Sequence, residues 1–136
     1  MPIIDRLAEV PGNAPGFGFA QAVSVSGRLA FVSGQVAFDE SGALVGEGDL
    51  PAQAERSLLN LYRVLQALGA DWPDVVKFTW FVTDAGQVQA IRDVRDRVLR
   101  PSLGDRPNPA SSLVQVAALF RPGFLVEVEA VVALPE

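Results

Sequence analysis

The 136-residue chain contains no cysteine, no histidine and a single lysine, Lys77. The first two absences exclude disulfide scaffolds, cysteine nucleophiles, histidine acid–base catalysis and zinc sites built on nitrogen or sulfur. With one lysine, and with 16 acidic against 11 basic side chains for a net charge of −5, nucleic acid is a poor partner, because phosphate binding rests on clustered Lys and Arg. No apolar run approaches the roughly 18 to 20 residues needed to span a bilayer. Met1 to Val10 carries Asp5, Arg6 and Glu9 where a signal peptide needs an apolar stretch. The expectation is a cytoplasmic protein without a membrane partner. What is present is a 49% hydrophobic fraction against 20% charged residues, the composition of a packed globular chain. Its length suits one domain, residues 1–136.

Residues 1–18, with Pro2, Pro11, Gly12, Pro15, Gly16 and Gly18, read as an irregular lead-in. Ala20 to Ser26 and Leu29 to Val36 read as two strands of a hairpin turned at Ser26-Gly27-Arg28. The clearest helix begins at the capping carboxylate of Asp49, with Pro51 in its first turn. Ala54, Leu58, Leu61, Leu65 and Leu68 then recur at helical spacing until Gly69 stops them. Val75 to Val82 reads as a strand with Phe78, Trp80 and Val82 on one face and Val75 and Phe81 on the other. A second helix is expected from about Asp84 to Leu99, with Val88, Ile91, Val94 or Arg95, and Val98 inward and Pro101 following it. Ser111 to Ala118 and Leu125 to Val132 close the chain as strands. The order ββαβαββ predicts an α+β fold with two helices on one face of a mixed sheet. The other face is left too apolar for water, so association through the sheet is expected.

Several segments, in order, then resemble a known family. They are Gln21-Ala22-Val23 after an aromatic; Phe31-Val32-Ser33-Gly34-Gln35; Gly69-Ala70-Asp71 through Phe81-Val82-Thr83-Asp84; Pro109-Ala110; Val114-Gln115-Val116-Ala117-Ala118; and Val126-Glu127-Val128-Glu129-Ala130. Together they resemble the reactive intermediate (Rid, YjgF-like) imine and enamine deaminases over roughly Phe19 to Val132. The resemblance implies a chorismate-mutase-like fold and a homotrimer with small-molecule clefts between subunits. It also implies hydrolysis of reactive imines such as 2-aminoacrylate to 2-oxo acids and ammonia, without metal or cofactor.

The ligand such a cleft takes carries a carboxylate, best held by a guanidinium through paired hydrogen bonds. The resemblance places that arginine after Pro-Ala, where this chain has Ser111. The family's asparagine and tyrosine on the second helix correspond to Arg92 and Arg95, and its aromatic before the first strand to Phe19. Glu127 matches the acidic cleft residue that handles water, and Ser33 and Gly34 match backbone positions that meet the ligand. Each has a plainer reading: Ser33-Gly34 as a bulge, Glu127 and Glu129 as a solvated strand face, Arg92 to Arg97 as a solvated helix laced with ion pairs. The sharper hypothesis gives Arg92 the cation lost at Ser111. Ser112 points to the other face of its strand, Arg106 is held off by Pro107 and Pro109, and Arg121 reads as exposed. Phe17, Phe19, Phe120 and Phe124 read either as a collar around the cleft, with Phe120 touching ligand, or as core.

Two functions follow: deamination of an imine other than 2-aminoacrylate, or a binding module that senses a metabolite without chemistry. An endoribonuclease does not suit an acidic chain with no histidine.

Overall fold

The computed structural model describes residues 4–14 and 18–135. The elements are β1 (Ile4–Leu7), β2 (Phe19–Ala20), β3 (Ala22–Val25), β4 (Leu29–Gln35), α1 (Leu50–Ala67), β5 (Val75–Val82), α2 (Val88–Leu103), β6 (Asn108–Gln115) and β7 (Val126–Ala133). The main sheet runs β2-β6-β5-β7-β4, with β5 parallel to β6 and antiparallel to β7.

α1 forms as its caps and spacing require. The Asp49 carboxylate accepts the Ala52 N–H at 3.0 Å, Pro51 occupies the first turn, and Gly69, at φ +74°, lets the Ala70 N–H reach back to the Leu65 carbonyl. Leu58, Leu61 and Leu65 are fully buried. Leu68, expected with them, falls at the C-cap and is exposed. Gln53 is buried in the same face and fully used. Its amide donates to the carbonyls of Gly46 and Gly123 and its oxygen accepts the Leu125 N–H, which anchors the loop before β7. The Asp84 carboxylate caps a short 3-10 turn, Ala85–Gln87, which leads into α2. α2 runs through Pro101 to Leu103 rather than ending before the proline. Pro101 lies in the last turn on the exposed side, so it forfeits one backbone bond at a position where water replaces it.

Three further expectations are corrected. The lead-in is not wholly irregular: Ile4–Leu7 pairs antiparallel with β3. The hairpin does not form, because β3 pairs with β1 in a separate two-stranded sheet while β4 pairs with β7. Val75 shares the core with Phe78, because a register shift between Val75 and Lys77 turns it to the opposite face from the one that strict alternation gives.

The core lies between the two helices and one sheet face, with Phe78, Trp80 and Val82 of β5 and Val126, Val128, Ala130 and Val132 of β7 packed against Leu58, Leu61, Leu65, Ile91 and Val94. Among the described residues no helix lies over the other face. Cross-strand pairing sets Phe81 beside Val114 and Glu127, Thr79 beside Ser112 and Glu129, and Phe31 beside Val131. Phe31 is 77% exposed. Among the described residues no helix is long and apolar enough to cross a membrane.

Candidate functional site: two half-sites on opposite faces of one sheet

The first half-site lies on the helix-covered side. Ser111 is paired with Phe78 and so points inward, toward α2. There it lines a recess of about 70 Å³ with Phe19, Arg92 and Arg95, over a floor that includes Trp80, Ile91 and Leu113. Arg92 and Arg95 are three residues apart on α2, hence on one helix face. A wider hollow of about 320 Å³ adjoins it, sharing Phe19 and Ser111 and reaching Lys77 of β5 and Ser112 of β6. Three residues named from sequence, Phe19, Arg92 and Ser111, therefore meet.

Arg95 was not singled out from sequence as a binding residue, and a network of side chains holds its guanidinium. It is 6% exposed, and its Nε donates to Asp96 Oδ1 at 2.9 Å. The same carboxylate oxygen accepts Asn108 Nδ2 at 3.3 Å. That Nδ2 also donates to the Gly18 carbonyl, and Asn108 Oδ1 accepts from Arg100 Nη2. α2, the start of β6 and the entry to β2 are thereby tied together around the guanidinium. Gly18 has φ +84°, and a Cβ there would stand 2.5 Å from Arg95 Nη2, so this position needs glycine twice over. The signal in the sequence was the Arg92–Arg95 spacing, masked by the alternating charges that follow it.

The second half-site lies on the open face. Glu127 pairs with Phe81 and is half-buried. Its carboxyl lies over Gly34, where a Cβ would come within 2.4 Å of Oε2. The register shift between Val32 and Gln35 places a bulge at Ser33-Gly34, so the bulge and the close approach of a side chain are the same feature. Burial, and secondarily repulsion from Glu129, push the Glu127 carboxyl above its usual range.

The structure does not join the halves within one chain. β5 lies between Ser111 and Glu127, and the two side chains face opposite sides of the sheet. Phe120 packs with Phe38 and Phe124, at 5.8 and 5.2 Å, rather than lining the recess. Arg121 is exposed, yet its guanidinium sits 4.6 Å over the Phe38 ring and donates to the Gly42 carbonyl. Arg106 bonds the carbonyls of Leu103 and Ser102 at the end of α2. Phe17 lies outside the described residues, so no four-phenylalanine collar is described.

Residues 12–134 match the endoribonuclease L-PSP family. Protein DfrA of Myxococcus xanthus is 40% identical over 114 residues, which cover 83% of this chain and 82% of that protein. The 2-iminobutanoate/2-iminopropanoate deaminase of Mus musculus is 35% identical over 113 residues, covering 83% and 78% respectively. Among solved structures, a Rid family protein of unknown function, YyfB from Yersinia pestis, superposes with a TM-score of 0.84 at 34% identity, over 95% of this chain and 98% of that one.

Proposed function

The chain belongs to the endoribonuclease L-PSP family, the Rid proteins, and on that premise we propose that it is a hydrolytic deaminase of a 2-imino or 2-enamino acid other than 2-aminoacrylate. It acts as a homotrimer in the cytoplasm, with no metal or cofactor. The observation that carries this reading is the meeting of Phe19, Arg92, Arg95 and Ser111 in one recess. The resemblance gives position 111 to a carboxylate-binding arginine. Here a serine stands there, and two guanidinium groups approach the same space from α2.

In this reading the ligand carboxylate is held from the helix rather than from the strand. Arg92 and Arg95 hold it, Phe19 flanks the ligand, and Ser111 leaves room for a side chain bulkier than that of aminoacrylate. The reacting carbon is served from the open face. Glu127 orients a water and takes its proton as the oxygen bonds to the imine carbon. It then returns that proton to the nitrogen, giving a carbinolamine, and carries the hydroxyl proton to the same nitrogen, so that the C–N bond breaks, ammonia leaves and the carbon becomes a 2-oxo group. A carboxyl held above its usual range by burial is the stronger base when ionised and gives the proton back when protonated, which suits these transfers. Because the half-sites face opposite ways within a chain, this reading requires association to bring one copy's Glu127 to another copy's recess. The uncovered, partly apolar face around Phe31, Phe81, Val114 and Val131 supports that arrangement.

The test is release of ammonia and 2-oxo acid from freshly generated imines, 2-aminoacrylate and bulkier ones. Acceleration of the bulkier imines that falls at least about 100-fold in Glu127→Ala supports the proposal. The change of residue type at Ser111 favours a second reading, a binding module without chemistry. Carboxylate binding with no acceleration of any imine would decide for it.

A further inference from the structure

We propose that Lys77 makes the site selective for imino acids whose side chain ends in a second carboxylate. The inference rests on the carboxylate reading above and narrows it to a class of substrate.

The recess of about 70 Å³ holds little more than the volume of two waters, at about 30 Å³ each, so it takes the first carboxylate and leaves the rest of the ligand outside. Beside it lies the hollow of about 320 Å³ that shares Phe19 and Ser111 with it. The strand pairing opens a way between the two. β2 accompanies β6 only as far as Ala20 beside Ala110, so from Ser111 onward β6 is the outer strand of the sheet. A ligand can round that edge at Ser111, from the recess into the hollow, without crossing paired strands.

The walls of the hollow include Ala20, Ala22, Val23, Val76 and Ala110, which suit methylene groups. Lys77 is the only charged residue in its lining. It stands beside Ala110 on the neighbouring strand, about 4.8 Å away, a distance its four-carbon stem covers. Among the described residues neither the Lys77 ammonium nor the hydroxyls of Ser111 and Ser112 take part in a hydrogen bond or ion pair. The remaining polar side chain of the lining, Gln21, is engaged with Asn13 and the Ala14 carbonyl. An unpaired ammonium and two unpaired hydroxyls, set against apolar walls, match a carboxylate at the end of a short methylene chain.

Lys77 is thus a specificity residue, and its signature is the ratio of two affinities. The measurement is calorimetric titration of the full-length protein with two products of the proposed reaction that share a five-carbon chain. These are 2-oxoglutarate, with a terminal carboxylate, and 2-oxopentanoate, with a methyl group in its place. The wild-type protein is expected to bind the diacid about three- to tenfold more tightly. Lys77→Gln, which removes the charge and keeps most of the length, should erase that preference, and Lys77→Arg should retain it. A side chain needed only for packing would shift both affinities together and leave their ratio where it was. Because the chain has no other lysine, a second readout needs no variant. With both acids saturating, 2-oxoglutarate should slow acetylation of Lys77, followed by peptide mass spectrometry, and 2-oxopentanoate should not. Equal affinities of the wild type for the two acids, or a ratio unchanged in Lys77→Gln, overturns the role of Lys77 and leaves the carboxylate reading standing. Should Lys77→Gln fail to fold, acetylation decides, equal protection by both acids overturning that role. Binding of neither acid by the wild type overturns the carboxylate reading, and this inference with it.

Discussion

The two faces of the main sheet are built by different means. On the helix-covered face, Phe78, Trp80 and their partners pack to near-zero exposure, and the recess at the edge of that packing is fixed by a network running from Arg95 through Asp96 and Asn108 to Gly18. Everything that positions those groups belongs to one chain. On the open face, Glu127 has a glycine beneath it and Glu129 two residues along the strand, while Phe31 and Val114 remain largely exposed around them. One face is finished by folding, and the other is left uncovered in the single chain, where the proposed association would finish it. The difference teaches that, in the proposed reading, a single subunit carries both parts of a site without completing it.

The comparison breaks most completely if the open face is denied its partner. Phe31→Asp puts a charge on the most exposed aromatic of that face without touching the core. Sedimentation should show separate subunits with native circular dichroism, and turnover should drop by two orders of magnitude or more while carboxylate binding to the recess survives in weakened form. An assembly that stays intact would place the subunit contact elsewhere. A smaller effect is expected from Gly34→Ala. The new methyl must displace the Glu127 carboxyl, which is flexible enough to move aside, so the chain should fold and associate. The cost falls on the position of the catalytic oxygen: kcat lowered about ten- to 100-fold with KM little changed. An equal change in KM would mean that Glu127 holds ligand rather than water.

What was legible in the sequence follows the range of the forces involved. α1 was readable to within a residue because capping, helical spacing and a terminating glycine are local. Leu68 was misplaced only because the last apolar residue in the pattern coincides with the cap. The partners of β3 and β4 were not readable. A glycine turn between two strands predicts a hairpin, but pairing is decided by burial across the whole chain, and β7 offered Leu29 to Gln35 a better-packed neighbour. Ser33-Gly34 and Glu127 were named separately. That they touch is set by a bulge the sequence marks only as an odd glycine. Ser111 and Arg92, both named from sequence, line one recess, whereas Arg95 was hidden by its setting. An arginine in a run of alternating charges ordinarily faces water, and burial here depends on Asp96 and Asn108, the latter contributed by β6.

The smallest expected effect sharpens the contrast between a finished and an unfinished face. Since burial raises the Glu127 carboxyl in the folded chain, the folded state holds that proton more tightly than the unfolded state does. The ionised group therefore opposes folding: the penalty is absent below the ordinary carboxylate range, grows as pH rises through it to the raised folded value, and is constant above. Glu127→Gln removes it. The variant should melt with the parent protein near pH 3 and slightly above it at pH 7. Solvent reaches the half-buried carboxyl, so the gain should amount to a few tenths of a kcal/mol, or about 1 to 2 °C. Glu129→Gln should act in the same direction and less, because its repulsion is the secondary cause. The gain at Glu127 should also be larger in the assembled protein than in the Phe31→Asp background, where the open face stays wet. An equal gain in both would mean that association does not bury this carboxyl, and that the open face is complete as the single chain leaves it.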